Sequence, residues 1–530
     1  MTPPRWTAWR SVVAPRAVVA LAAALMIVLA LARLMAPLAD LEIRHTFVDE
    51  TPVTVFQPAK GPLGPAVVIA HGFAGSQQLM QNFAIALAEA GYVAVTFDAL
   101  GHGRHPEPLG GDLANVDGAT VYLLNQIHQV AQFARDLVPD QPRFAVLGHS
   151  MASDIVVRYA AAEPAVAATV AVSMFSPAVT PTEPRDLLVI VGALEQNALK
   201  AEALRAVAMV AGTSAPQAEA TYGSIDQGTA RRYVLAPGVE HIGVLFSRVA
   251  ATETVAWLDA VFHRHGAGPV PARMPWIGVL LAGVVGLAWP LSTLLPRIAP
   301  PPKSAARLTG RPFFWLAVGP ALATPVLLRP LPTDFLPTLV GDYLVAHAAV
   351  YGLLTAAGLA WWCRHERRAG RACPVVAFPR LERSEWGRLG LAGGLAAAYG
   401  LVAFGLPVDR FVTAVAPGPA RWFLVPVMAL GTVPYILADE ALIRRAGNSF
   451  LRGVATRTLF LASLGLAIAL DFESLFFLII LMPALVVFMG VFGLFARWTW
   501  ARTHHGAVGG LATALALAIA IAAIFPVVSG

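Results

Sequence analysis

Charge is what this 530-residue sequence has least of: 13% of its residues are Asp, Glu, Lys or Arg, against 57% hydrophobic. That balance is too apolar for a soluble globular chain of ordinary composition, so much of the molecule must meet lipid. Cysteine is nearly absent. The two present, Cys363 and Cys373, share one arginine-rich stretch, and 40–272 contains none, so no disulfide framework is available and reduced thiols are expected. Even with His365 nearby, the pair supplies too few ligands for zinc, and no metal site is expected. Acidic residues are scarce outside one segment. Asp40 to Ala272 holds 13 Lys+Arg against 22 Asp+Glu, and the remainder holds 25 against 10. The net charge of +6 and pI of about 9.6 therefore come from arginines flanking apolar runs, as the positive-inside rule predicts, and no nucleic-acid partner is expected.

What is present divides into four parts. Residues 1–39 read as an N-terminal membrane anchor: Arg5, Arg10 and Arg16 precede an apolar run, and Pro37-Leu38-Ala39 is a poor cleavage site for a signal peptide. Residues 40–265 alternate short β-rich runs with helical ones. Ala66–Ala70, Tyr92–Phe97, Phe144–Leu147, Thr169–Val172, Leu187–Val191 and Tyr233–Ala236 read as strands. Gln77–Ala90, Val121–Leu137, Met151–Ala162 and Ala198–Val210 read as helices, so the fold class is α/β with a mostly parallel sheet. A Gly/Pro linker occupies 266–275. Residues 276–530 form an all-α transmembrane bundle of about eight helices, the weakest being the short run Thr458–Leu470. Arginine-rich loops alternate along it: Arg297, Lys303, Arg307 and Arg311; then Arg364 to Arg383; then Arg444 to Arg457; then Arg497 and Arg502. All fall on the side of the N-terminus. The expected location is therefore a multi-pass cell-membrane protein with 40–265 outside the cytoplasm, periplasmic if bacterial.

Within 40–265 one apolar run ends abruptly on small residues around a serine. Gly148-His149-Ser150-Met151-Ala152 follows a strand and opens a helix, in the frame G-x-S-x-G with alanine for the last glycine. Such a turn exposes the serine as a nucleophile, which needs a base, an orienting acid and oxyanion donors. Three other strand ends carry suitable residues. His71-Gly72-Phe73-Ala74-Gly75-Ser76 follows the first of these strands, Gly192-Ala193-Leu194-Glu195 follows Leu187–Val191, and Pro237-Gly238-Val239-Glu240-His241 follows the last. Asp226 and Asp186 are less well placed alternatives to Glu195.

With Phe97-Asp98-Ala99-Leu100-Gly101-His102-Gly103 added, the segment resembles the α/β-hydrolase family, especially its dienelactone hydrolase and serine aminopeptidase-like branch. The resemblance covers somewhat under half of the chain. It implies acyl transfer to water with Ser150 as nucleophile, His241 as base and Glu195 as acid, and needs no cofactor. It further implies backbone N–H groups of Phe73 and Met151 as the oxyanion hole, with His71, Gly72 and His149 shaping the substrate site. The partners expected are a small-molecule or lipid acyl substrate and the membrane. An inactive binding module attached to a transporter or lipid-handling domain is the alternative.

Polar residues inside the spans need an account too. Tyr343, His347 and Tyr351 share a helix face, for which hydrogen bonding between helices is the simplest reading. Asp439-Glu440-Ala441-Leu442-Ile443-Arg444 faintly resembles the E-E-x-x-x-R of CAAX-protease-like intramembrane enzymes, but the accompanying intramembrane histidines are missing, and the match reads as coincidence.

Overall fold

A computed structural model of the chain describes residues 5–112, 117–264, 270–301, 308–371, 373 and 377–529, with side chains from residue 15 onward. Part of the expected linker, 266–269, lies outside these residues, as do Lys303 and Arg307. The chain divides into two compact units. One comprises Val28–Leu280, Val408–Ala414 and Pro526–Gly530; the other comprises Met1–Ile27, Leu281–Pro407 and Val415–Phe525.

The first unit is built on an eight-stranded sheet: β1 (Leu41–Val48), β2 (Thr51–Pro58), β3 (Ala66–Ala70), β4 (Val93–Phe97), β5 (Phe144–His149), β6 (Val166–Val172), β7 (Leu187–Gly192) and β8 (Arg231–Ala236). The spatial order is β1-β2-β4-β3-β5-β6-β7-β8. The hairpin β1–β2 is antiparallel and joins β4 antiparallel, while β3 to β8 run parallel. After α1 (Arg5–Met35), which enters this unit only at Val28, the helices of this unit are α2 (Gln81–Glu89), α3 (Ala119–Asp136), α4 (Met151–Ala162), α5 (Asn197–Ala211) and α6 (Arg248–Val261). They cover both faces. Val67 and Ile69 of β3 and Ala145 and Leu147 of β5 pack with α2 and α6, through Phe83, Leu87, Val255 and Leu258. Val68 of β3 and Phe144 and Val146 of β5 pack with α3 and α4, through Ile127, Val130, Ile155 and Val156. This period of two explains why the central strands are apolar throughout: each side chain is buried on one face or the other. Each such Val, Leu or Ile contributes roughly 1.5–3 kcal/mol.

The sequence pattern missed β1 and β2. In β1 only Leu41 is buried, so LEIRHTFV carries no apolar run, and β2 holds two prolines.

The second unit contains α7 (Met274–Leu291), most of which lies in it, α8 (Gly310–Leu328), α9 (Gly341–Arg368), α10 (Trp386–Ala398), the start of α11 (Gly405–Phe411), which passes into the first unit at Val408, α12 (Leu424–Arg445), α13 (Phe450–Leu470), α14 (Phe472–Leu475), α15 (Leu478–Thr503) and α16 (Gly506–Ile524). A π-helical turn at Tyr399–Phe404 joins α10 to α11. Among the described residues, nine helices are long and apolar enough to cross a membrane, α1 included. Close crossings use glycine: a Cβ on Gly352 of α9 would lie 2.6 Å from the Tyr435 Cα of α12. The short run Thr458–Leu470 belongs to a longer helix, α13, that starts at Phe450. Arg452 and Arg457 interrupt its hydropathy but are accommodated: Arg457 pairs with Asp439 (3.5 Å) and Glu440 (3.7 Å), and Arg452 donates to carbonyls of Leu308 and Ala446.

Glu440 also pairs with Arg444, so the D-E-x-x-x-R stretch is consumed by buried ion pairs with two arginines. His347 of α9 meets the Ser463 hydroxyl of α13 at 3.0 Å, a hydrogen bond between helices. One expectation is corrected. Cys363 and Cys373 are joined as a disulfide, Cα atoms 5.2 Å apart, where reduced thiols were expected. Cys363 lies in α9, which ends at Arg368, and Gly370, at φ 71°, turns the chain so that Cys373 meets that last turn.

Candidate active site

In a parallel sheet the loops that follow the strands gather at one edge, and every site residue named above lies at or shortly after the end of a strand of this kind. Ser150 stands between β5 and α4 with φ 53° and ψ −117°, a left-handed conformation costly for a non-glycine residue. Its neighbours enforce it. The Ser150 N–H donates to the Val172 carbonyl (2.9 Å), and the Ser150 carbonyl accepts from Ser153 N (2.8 Å) and Ser153 Oγ (2.5 Å). A Cβ on Gly148 would collide with the Ala152 carbonyl, so glycine is obligatory two residues before the serine. Two residues after it, the Ala152 methyl is buried in the core beside α3. Alanine therefore replaces the usual glycine without crowding.

The three residues expected to work together are adjacent. Ser150 Oγ lies 3.0 Å from His241 Nε2, and His241 Nδ1 lies 2.8 Å from Glu195 Oε2. Glu195 has no exposed side-chain surface, and its other oxygen accepts from Gly192 N (2.6 Å) and Ser173 Oγ (2.8 Å). Three donors thus fix the carboxylate that faces the imidazole. Ser173 had not been singled out; its position directly after β6, one strand over from Glu195, is the only signal it carried. Asp186 precedes β7 and Asp226 precedes β8, so both lie toward the opposite edge of the sheet from His241.

His71 and His149 are buried beneath this arrangement. The His71 Nδ1–H donates to the Gly72 carbonyl (2.8 Å) while Nε2 accepts from Ala99 N (3.0 Å), a neutral tautomer with both nitrogens engaged. The His149 Nε2–H donates to the His241 carbonyl (3.0 Å), with the two rings 4.9 Å apart. Burial pushes both imidazoles down, His149 well below the ordinary histidine range, with the neighbouring His241 lowering it further. A neutral His149 adds no second cation beside His241. Gly72 faces the serine: a Cβ there would lie 2.9 Å from the Ser150 Cβ and 2.8 Å from His149 Nδ1. Phe73 follows in the same turn, and Met151 supplies the first N–H of α4, one of the donors a helix start leaves unpaired.

With this geometry in view, the profile of the family described as serine aminopeptidase, S33, matches residues 62–240. The first unit has the α/β-hydrolase fold. Among solved structures, this α/β-hydrolase domain is similar to a predicted CIB-like hydrolase from Thermoplasma acidophilum, at 16% identity over 42% of this chain and 98% of that one, with a TM-score of 0.32. A hypothetical protein from Pseudomonas aeruginosa aligns at 15% identity over 42% and 94%, with a TM-score of 0.31. A thermostable carboxyl esterase from Bacillus coagulans aligns at 19% identity over 25% and 44%, with a TM-score of 0.21. No curated protein matches the sequence. The family supports hydrolase chemistry for the α/β-hydrolase domain.

Proposed function

We propose that this protein is a membrane-bound serine hydrolase that cleaves an ester or related acyl bond through Ser150, His241 and Glu195. The observation that carries the reading is the unbroken hydrogen-bonded line from Ser150 Oγ through the imidazole to a buried carboxylate. Ser150 Oγ attacks the acyl carbon as its proton passes to His241 Nε2, and Glu195 stabilises the imidazolium through Nδ1. The N–H groups of Phe73 and Met151 serve the developing oxyanion. Collapse expels the leaving group, which takes the proton from His241, and leaves an acyl-enzyme. Water, deprotonated by His241, then releases the acid and restores Ser150. His71 and His149 shape this site from below.

A short connection between β6 and β7, residues 173–186, leaves the site without a long lid. Phe175 and Leu194, beside Ser173 and Glu195, are 65% and 67% exposed, an apolar rim suited to a lipophilic acyl group. The helical unit acts as a platform for a membrane-associated substrate. The domain faces away from the cytoplasm, a reading supported by the arginine distribution. Four candidate spans separate Leu280 from the 408–414 stretch, and four more lead to 526–530. Both stretches thus return to the face on which the domain's own unit requires them.

A fluorophosphonate probe applied to the detergent-solubilised protein tests the chemistry. Labelling at Ser150 that vanishes in Ser150→Ala is expected; an unlabelled wild type would favour an inactive binding module instead. Reporter fusions at Val270 and at the C-terminus are expected to read extracytoplasmic and fusions near Arg368 or Arg445 cytoplasmic, and a cytoplasmic signal at Val270 would invert the topology.

A further inference from the structure

Two short stretches far along the chain belong to the compact unit of the α/β-hydrolase domain: Val408–Ala414 and Pro526–Gly530. The first meets the loops that follow β3 and β4, and the second meets the loop that follows β4. The turn His71–Ser76 carries the Phe73 N–H and is closed by one backbone bond, Gly75 N to Gly72 O at 3.1 Å. A turn with two glycines is intrinsically soft. Its far end is gripped from two sides. Ser76 is buried, and its Oγ accepts from the Ala414 N–H (3.0 Å) and lies 3.1 Å from Thr413 Oγ1. The next residue, Gln77, donates its N–H to Asp98 Oδ1 (2.9 Å), and Asp98 Oδ2 accepts from the Arg104 N–H (3.0 Å). Arg104 in turn binds Asp409 through Nη2, at 2.8 Å and 2.6 Å to the two carboxylate oxygens. The Asp409 side chain is only 17% exposed, so this ion pair is better shielded than an ordinary surface pair. The loop after β4 is tied a second time: Val527 N donates to Gly101 O (2.8 Å), Leu109 N to Val527 O (2.9 Å) and Ser529 N to Leu109 O (3.0 Å).

Oxyanion donors work only when held in place before the charge develops, and small misplacements are costly. We infer that Asp409, Thr413 and the Ala414 N–H are positioning groups for the oxyanion turn, so that turnover at Ser150 depends on the end of α11 and the residues that directly follow it. The inference rests on Ser150 being the nucleophile. It gives the attached helices a chemical consequence for the α/β-hydrolase domain beyond anchoring.

The test uses the full chain in detergent with a short p-nitrophenyl ester, rates being expressed per serine titrated with a fluorophosphonate so that unfolded protein does not count. Asp409→Asn and Ser76→Ala are each expected to lower kcat about ten-fold with KM changed less than about two-fold, because the lost interaction serves the transition state. Inhibition by a phenylboronic acid, whose tetrahedral adduct uses the same N–H groups, is expected to weaken by a similar factor. The charge-exchanged pair Arg104→Asp with Asp409→Arg is expected to recover most of the loss seen in Asp409→Asn. Wild-type labelling at Ser150 with unchanged kcat per titrated serine in both single variants overturns this inference alone. No labelling in the wild type overturns the hydrolase reading and this inference with it.

Discussion

In the α/β-hydrolase unit the buried carboxylate of Glu195 is held by Gly192 N and Ser173 Oγ so that its remaining oxygen meets one imidazole, whose other nitrogen faces a partly exposed serine. In the helical unit Glu440 is equally buried, yet it meets Arg444 and Arg457. The first arrangement ends on a group that can gain and lose a proton at a nucleophile; the second pairs charges that do not exchange protons near neutral pH. Burial with a partner is therefore common to both. Function is distinguished by where the line of hydrogen bonds ends.

The largest effect that could break this contrast lies at the histidine. His241→Ala is expected to lower ester turnover by roughly three or more orders of magnitude while leaving the domain folded by circular dichroism. Glu195→Gln follows with a smaller loss, about ten- to thousand-fold in kcat, because the acid orients and stabilises the base rather than reacting. If Glu195→Gln matched the wild type while an Asp186 or Asp226 substitution was crippling, the assignment of the acid would fall.

Glu440→Ala sharpens the contrast from the other side. Removing it leaves Arg444 buried without its carboxylate partner, for which about 3–5 kcal/mol of destabilisation is typical. Thermal unfolding of the helical unit is expected at lower temperature, while the fluorophosphonate labelling rate of the surviving folded protein stays at the wild-type value. Normal stability with abolished turnover would instead assign chemistry to the D-E-x-x-x-R stretch.

The same contrast explains what could be read from residues alone. Strands β3 to β7 were legible because burial on both faces leaves continuous apolar runs, and Ser150, Glu195 and His241 because each lies within a few residues of a strand end. The hairpin β1–β2 was not, since its polar and proline-bearing pattern reflects an edge position. Ser173, Ser76 and Asp409 were also hidden: each acts through a partner 22 or more residues away, and a lone serine or aspartate has no local pattern to betray that. In the bundle, hydropathy located the spans, but α13 was shortened because Arg452 and Arg457 look like loop residues until their partners on other helices are known. The pairing of Cys363 with Cys373 depends on a turn at Gly370 that composition does not announce.

The smallest predicted effect concerns a buried carboxylate of the α/β-hydrolase unit that takes no part in the chemistry. Burial raises the Asp186 carboxyl to about 6, opposed by the Ala230 N–H it accepts (3.1 Å) and by Arg185, Arg231 and Arg143. A folded-state value above the unfolded one means that the folded domain binds the proton more tightly. The stabilisation from this group is then fully present below about pH 4 and lost as pH rises through about 6. His71 and His149 act in the opposite sense. Their depressed folded-state values contribute stability above about pH 6.5 that is lost as pH falls. Asp186→Asn separates the two, because asparagine can still accept the Ala230 N–H and tolerates the φ of 39° found there. Relative to the wild type, the variant's Tm is expected to rise between pH 4 and pH 7 by a few degrees, the scale on which about 1 kcal/mol moves a domain of this size. Ester turnover near neutral pH is expected to be unaffected, since Asp186 precedes β7 while the site follows it. A pH-independent difference in Tm would show that Asp186 is ionised in the folded domain throughout this range.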